Sequence, residues 1–269
     1  MKRSLSAIST LNASFAEDVG AYAAAGFDAI GLWEMKLPDH DAANVDLIRS
    51  HGLTVSNCIP TVPSFLPLAI PGMEGPADPG VRLDAICASI RRLARYEPGC
   101  VVCLSGPHGD RSERDGRAIV ADGLRCAAAA AAESGVRLGF EPVHPAQHDS
   151  AGFVTSLGDT LALLDEAGTT DVGLMADTFN LGHEATDEVV AAAARFTGLH
   201  VADELPEPVA GVRALPARGG RSAELIAALR DAGWDGTLDV EIFSTPDAFW
   251  ALPADEAARQ AYAAAASLC

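Results

Sequence analysis

The chain has 269 residues, 49% of them hydrophobic and 21% charged, which is typical of a globular protein with a large core. Its formal net charge of −18 repels phosphate backbones and anionic bilayers, so we expect neither a nucleic-acid nor a membrane partner. No apolar stretch is long enough for a membrane span or a signal peptide, and we expect a cytoplasmic protein.

Strand-like and helix-like segments alternate along the whole chain. Helices are marked by alanine-rich sequence, by capping residues such as Ser14 and by stop signals such as Gly26. Strands are predicted at 5–9, 28–33, 53–59, 101–105, 136–141, 172–177, 199–202 and 237–242. Helices are predicted at 15–25, 41–50, 81–95, 111–134, 158–167, 186–195, 222–232 and 255–268.

Eight such β–α units predict an α/β fold, a parallel (β/α)8 TIM barrel, as a single domain over residues 1–269. The nearest rival is a doubly wound open sheet, which usually carries a glycine-rich loop after its first strand. Here the first predicted strand leads into Thr10-Leu-Asn-Ala, which has no glycine. The long loops, including the proline-rich segment 60–79, follow strands, which is where barrels place their active sites.

Each of the last four predicted strands ends at or beside an acidic or imidazole side chain, namely Glu141, Asp177, His200 and Glu241. A buried strand gains nothing from ending in a charge that has no partner. Consecutive strand ends form an arc at the barrel mouth, so the four side chains are predicted to bind one divalent cation. We expect Mn²⁺ first, with Mg²⁺, Co²⁺ and Zn²⁺ as further candidates. The alternative is that each side chain caps a helix or pairs with a nearby arginine.

The sequence around these residues resembles a known family. The motifs Gly-Phe-Glu141-Pro, Asp177-Thr-Phe-Asn, His200-Val-Ala-Asp203 and Val-Glu241-Ile-Phe are similar to those of the xylose-isomerase-like TIM barrels. Within these, the chain resembles the sugar phosphate isomerase/epimerase branch, which includes ketose 3-epimerases and hydroxypyruvate isomerases. The resemblance implies that Glu141 and Glu241 are both ligands and catalytic bases that move a proton through a metal-stabilised cis-enediolate. Asp177 and His200 would then be ligands only.

Two residues are predicted to contact substrate because of this resemblance. Asn180 stands where many relatives carry a histidine, which leaves the sugar specificity open. Arg213 looks like the arginine of the Arg-x-Leu-Pro-Gly-x-Gly loop that helps to hold substrate in many relatives, although Ala217 replaces its first glycine. Arg213 and Arg218 are also the candidates for binding a phosphate group.

Four further residues are predicted substrate contacts because of their positions. His108 and His144 follow the fourth and fifth predicted strands, and Glu34 follows the second. His183 lies six residues after Asp177 and either binds a substrate hydroxyl group, caps a helix or is exposed to solvent.

The leading hypothesis is a metal-dependent isomerase or epimerase of a ketose or a related sugar or cyclitol ketone. A dehydratase or lyase of an inosose-like or dehydroshikimate-like substrate would use the same first proton removal. An endonuclease-IV-like enzyme would need more histidine ligands and a basic surface, and a non-catalytic carbohydrate-binding barrel would need no metal. A homo-oligomer is compatible with all of them.

Overall fold

A computed structural model of the protein describes residues 1–169, 172–209 and 211–268. The barrel strands are β1 (Lys2–Ser6), β2 (Ala29–Trp33), β3 (Thr54–Ile59), β4 (Val101–Cys103), β5 (Leu138–Phe140), β6 (Val172–Asp177), β7 (Phe196–Val201) and β10 (Thr237–Val240). They pair in parallel and close in the order β1-β10-β7-β6-β5-β4-β3-β2. Two short strands, β8 (Asp203–Glu204) and β9 (Arg213–Ala214), form an antiparallel ribbon after β7. The predicted TIM barrel is therefore confirmed.

Eight α-helices follow the barrel strands within the described ranges: α1 (Phe15–Ala25), α2 (Asp41–Ser50), α3 (Pro79–Leu93), α4 (Glu113–Glu133), α5 (Leu157–Ala167), α6 (Thr186–Ala191), α7 (Arg221–Asp231) and α8 (Ala254–Ala266). The start of α1 is a capping box between Ser14 and Glu17, and the helix ends at Gly26 with φ 99°. Among the described residues, no helix combines the length and the apolar character needed to cross a bilayer.

The first strand differs from its prediction at 5–9. It runs from Lys2 to Ser6, and the following Ala7–Thr10 segment forms a 3-10 turn. The side chain of Ser9 explains the change, because its Oγ accepts a hydrogen bond from Ile242 N (2.9 Å) and takes the place of a ladder carbonyl. The chain thus leaves the barrel wall earlier than the apolar pattern indicates.

A buried arginine organises the long loop between β3 and α3. Arg82 is 0% exposed, and its guanidinium donates hydrogen bonds to the backbone carbonyls of Ser64 (3.0 Å), Glu74 (2.6 Å) and Pro76 (2.7 Å). Burial lowers the pKa of Arg82 to about 10, which still leaves it charged at neutral pH. These carbonyls replace water around the charge, so the loop is held against the barrel mouth.

The same loop is held on its other side by the segment after β4. Phe65 N donates to Leu104 O (3.1 Å) and Leu66 N donates to Ser105 O (2.9 Å). The backbones approach so closely at Gly106, which has φ 73°, that a Cβ there would clash with the carbonyl oxygen of Leu66. Glycine is required at this position for space as well as for conformation.

Replacing Gly106 should therefore destabilise the protein more than replacing a glycine that has a positive φ angle but free space where a Cβ would lie. Gly109 has φ 60° and open space where a methyl group would lie, with no atom within 4 Å, so Gly109→Ala should cost about 1 kcal/mol. We expect Gly106→Ala to cost about 1–3 kcal/mol more than that, from overpacking. Urea unfolding of both variants measures the difference, and equal losses would contradict the close approach.

Candidate metal centre

Four side chains converge where the barrel strands end. Glu141 and Glu241 directly follow β5 and β10, Asp177 closes β6, and His200 is the last residue but one of β7. Because β5, β6, β7 and β10 are successive neighbours in the barrel, these positions form an arc at the carboxyl end of the strands. One ligand atom of each residue lies within 4.8 Å of the other three, and all four residues are buried.

The imidazole of His200 lies between the two glutamates. Its Nδ1 is 3.2 Å from Glu141 Oε1 and 3.4 Å from Glu241 Oε2. Burial alone would lower the pKa of His200, but the charges of Glu241 and Glu141 outweigh it and raise that pKa. The pKa of Glu141 is raised, mainly by burial and further by the carboxylates of Glu241 and Asp177. The cluster is therefore short of positive charge.

Arg213 belongs to this cluster and not only to its edge. Its Nη1 lies 2.9 Å from Asp177 Oδ2 and 2.7 Å from Glu241 Oε2. The guanidinium is buried, with its carbon 5.1 Å from the ring centroid of Phe179 and 4.9 Å from that of Phe243. Burial lowers the pKa of Arg213, but Asp177 and Glu241 more than offset that effect, so the side chain stays charged.

A divalent cation would complete the charge balance of this site. The three ionised carboxylates carry three negative charges and Arg213 carries one positive charge, which leaves two negative charges when His200 is neutral. The buried Oδ2 of Asp177 forms the ion pair with Arg213 but no well-aligned hydrogen bond, whereas Oδ1 accepts one from Phe179 N (2.7 Å). One oxygen is thus fixed by the backbone while the other faces the cluster. Three carboxylates and one imidazole form a donor set that suits Mn²⁺ or Mg²⁺ and is also compatible with Zn²⁺.

Asp239 faces His200 from the opposite side, and the sequence analysis did not identify it. Its Oδ2 lies 3.6 Å from His200 Nε2 and accepts a hydrogen bond from Asn57 Nδ2 (2.6 Å). Burial raises the pKa of Asp239 to about 6. A carboxylate behind the distal nitrogen of a ligand histidine fixes the ring and increases its basicity. The sequence does contain a signal for Asp239. It lies two residues before Glu241, and side chains two residues apart in a strand point to the same side.

Asn180 is brought into the site, where it contacts Glu141. Its Nδ2 donates to Glu141 Oε1 (3.2 Å), and its Oδ1 accepts from the backbone N–H of His144 (3.0 Å). Both ends of the amide are therefore engaged within the protein. The ring of His144 packs against Phe179, with centroids 4.9 Å apart. Asn180 is thus placed to orient a carboxylate.

Three histidines that are predicted substrate contacts do not line the cavity above the cluster. His183 is exposed, and its Nε2 is 3.4 Å from Glu184 Oε1. The ring centroid of His108 lies 5.8 Å from that of His148. Neither histidine lines the central cavity, and His144 does not line it either.

Glu34 also does not line the cavity, and its carboxylate contacts other parts of the protein. Its Oε2 accepts hydrogen bonds from Ser89 Oγ (2.6 Å) and from Thr61 N (2.9 Å). Its Oε1 lies 3.4 Å from Arg92 Nη1. The carboxylate therefore links the end of β2 to α3 and to the long loop.

A cavity of about 540 Å³ opens above the cluster. Glu141, Asn180, Arg213 and Glu241 are its polar floor. Its volume falls in the usual range for small-molecule sites, about 300–1,000 Å³.

Comparison with known proteins agrees with this architecture. Residues 19–268 match the family model of the xylose isomerase-like TIM barrel, so the chain belongs to this family. No curated protein sequence matches the chain.

Solved structures with the same fold are similar to the whole chain. A protein from Sinorhizobium meliloti 1021 superimposes with a TM-score of 0.84 at 22% identity, covering 100% of this chain and 98% of that one. The IolI protein, solved with a zinc atom, gives 0.81 at 18% identity, with the same coverage of 100% and 98%. A D-psicose 3-epimerase from Clostridium cellulolyticum H10, solved with D-tagatose, gives 0.75 at 17% identity, covering 99% and 97%. At these identities the likeness shows the fold.

We expect the protein reconstituted with Mn²⁺ to hold about one ion per chain, since the four ligand groups form one cluster. His200→Ala should remove most of that metal, because it deletes the only nitrogen donor of the cluster. The matched control is His183→Ala, which removes an exposed imidazole outside the cavity and should leave the metal content unchanged. Elemental analysis after gel filtration measures both, and equal metal contents would refute the assignment.

Asp239→Asn should weaken Mn²⁺ binding by about 10- to 100-fold while the barrel stays folded, because the amide still accepts from Asn57 but supports the His200 ring less strongly. Calorimetric titration with Mn²⁺ measures the affinity, and circular dichroism checks the fold. An unchanged affinity would show that Asp239 does not support the ligand.

Proposed function

We propose that the protein is a divalent-metal-dependent isomerase or epimerase acting on a ketose or a related sugar or cyclitol ketone. The observation that carries the proposal is the pair of buried glutamates at one cavity floor. Glu141 and Glu241 both approach the same nitrogen of His200, at 3.2 and 3.4 Å. Two carboxylates in this arrangement are suited to remove a proton from carbon and to return one.

The first requirement of such a reaction is a base for a carbon-bound proton. Burial raises the pKa of Glu141 and so makes it a stronger base than an exposed carboxylate. The amide of Asn180 holds Oε1 of Glu141 in place. A bound divalent cation would polarise the substrate carbonyl and so make the neighbouring C–H more acidic.

The second requirement is a group that returns the proton. Glu241 is fixed at both oxygens, because Oε1 accepts from Ser6 Oγ (3.3 Å) and Oε2 accepts from Arg213 Nη1 (2.7 Å). We propose that one glutamate removes the proton to give an enediolate. The other glutamate takes up a proton from water and delivers it to the opposite face, which gives epimerisation, or to the neighbouring carbon, which gives isomerisation. The first glutamate then loses the abstracted proton to water.

The family supports this proposal. Its fold is shared by a D-psicose 3-epimerase solved with D-tagatose and by the zinc-containing structure of IolI. A dehydratase would share the proton removal but would also release water, so the mass of the product separates the two reactions.

Glu141→Gln and Glu241→Gln should each lower turnover by about 10²–10⁴-fold, because each removes one of the two proton-transferring groups. Glu207→Gln is the matched control, since it makes the same change at an exposed residue between β8 and β9 and should leave turnover unchanged. The measurement is deuterium incorporation from solvent into D-psicose, D-tagatose, D-fructose and an inosose, followed by NMR with Mn²⁺ present.

Circular dichroism and metal content establish whether each variant remains folded and loaded. A folded, loaded variant of either glutamate with near-wild-type exchange would contradict the two-base assignment. Exchange accompanied by loss of water would replace the epimerase with a dehydratase.

A further inference from the structure

The cavity above the cluster has a polar floor and apolar walls. One wall comes from the long loop and carries Leu68, Ile70 and Met73. Leu104 and Val143, from the segments after β4 and β5, continue this surface. Aliphatic side chains of this kind offer no hydrogen bond to a hydroxyl group.

A further part of the wall is aromatic, and Met73 packs against the apolar cluster that contains Trp33. The rings of Trp33 and Phe243 meet edge to face with centroids 5.7 Å apart, and Trp250 lies 6.4 Å from Phe243. Each indole N–H is already used, because Trp33 Nε1 donates to Ser6 Oγ (3.0 Å) and Trp250 Nε1 donates to Ile8 O (2.8 Å). The aromatic wall therefore presents only its apolar surface to a ligand.

Two hydroxyl groups on the cavity wall are also engaged by the protein. Ser244 Oγ accepts from Phe249 N (2.9 Å), and Ser150 Oγ donates to Gln147 O (3.2 Å). His108, His144 and His183, the histidines that the sequence suggests for sugar hydroxyls, do not line the cavity. Away from its floor, the side-chain amide of Gln147 is the one polar side-chain group of the lining that makes no hydrogen bond within the described residues. The walls therefore offer a sugar few partners to replace the water around its hydroxyl groups.

The apolar character extends to the cavity mouth. Met35 lines the cavity and is 55% exposed, which makes it one of the few large apolar side chains on the surface of the described residues. An exposed apolar side chain at the lip of an apolar cavity is typical of a binding surface. A hydroxyl buried against these walls would lose its hydrogen bonds to water, whereas an apolar group gains from leaving water.

From these contacts we infer that the substrate is a hydroxyketone that carries an apolar, ring-sized substituent, and not a fully hydroxylated sugar. The inference rests on the proposed function and specifies its substrate class. The carbonyl and its neighbouring hydroxyl face Glu141, Arg213 and Glu241 at the floor. The substituent lies against Leu68, Met73 and the aromatic wall.

The test compares three probes on protein loaded with Mn²⁺ and checked for metal content. 2-Hydroxyacetophenone carries a hydroxyketone and a phenyl ring, dihydroxyacetone carries the hydroxyketone without the ring, and D-fructose carries further hydroxyls. Calorimetry gives each Kd, and NMR gives deuterium exchange at the carbon between carbonyl and hydroxyl. We expect 2-hydroxyacetophenone to bind at least about tenfold more tightly than the other two, because it buries an additional ring.

Variants of the wall residues test whether the cavity walls cause the tighter binding of 2-hydroxyacetophenone. Met73→Gln keeps the length of the side chain and should weaken the binding of 2-hydroxyacetophenone several-fold. Met35→Gln changes an exposed residue that carries little risk to folding and should weaken it in the same direction. The matched control is Val81→Gln, which changes a residue that is 54% exposed and does not line the cavity.

The outcomes separate the inference from the function on which it rests. Tighter binding of 2-hydroxyacetophenone, reduced by the wall variants and not by Val81→Gln, supports the inference. Loaded protein that binds D-fructose as tightly as the aryl probe overturns the inference and leaves the proposed function standing. Protein that binds no metal and exchanges no deuterium with any probe overturns the proposed function, and the inference with it.

Discussion

Three carboxylates and an imidazole are buried with their ligand atoms within 4.8 Å of one another, and like charges at this spacing repel strongly away from water. The surrounding structure offsets part of this cost. Arg213 contacts two of the carboxylates, and Asn180 donates to Glu141. The remaining negative charge is what a divalent cation would neutralise. A bound cation would therefore couple the stability of the barrel mouth to metal binding, because the same groups would serve both.

The barrel interior changes its character along its axis. Below His200 lies a polar group of side chains in which Asn57 donates to Asp239, and Gly31 leaves space for that carboxylate because a Cβ there would clash with it. Above the cluster lie the aromatic and aliphatic walls of the cavity. The polar residues below can orient a ligand histidine, whereas the apolar residues above can select a substrate. In the proposed function, this division would let one cluster combine a general proton-transfer reaction with a particular specificity.

The sequence predicted the strands that carry the site well. The strand at 172–177 was predicted with its observed bounds, because an unbroken apolar run ending in Asp177 is a strong local signal. It misplaced the first strand, where the Ser9 side chain replaces a backbone partner. It also assigned Glu34 to substrate, which stays a prediction, and in the structure this carboxylate contacts Ser89 and Arg92. The partners of Ser9 and Glu34 are distant in sequence.

The sequence by itself determined the order of the elements and the four side chains at the strand ends, since periodicity, capping and strand alternation are local properties. Only the tertiary structure decided which groups contact these four side chains and offset their negative charge. Arg213 enters the cluster through the ribbon of β8 and β9, and Asp239 reaches His200 across neighbouring strands. The cavity walls also join Met73 to residues as distant as Trp33 and Trp250. Such contacts follow from barrel closure and loop packing. These bring together residues that are distant in the chain, and the local sequence around one of them does not indicate its contact with another.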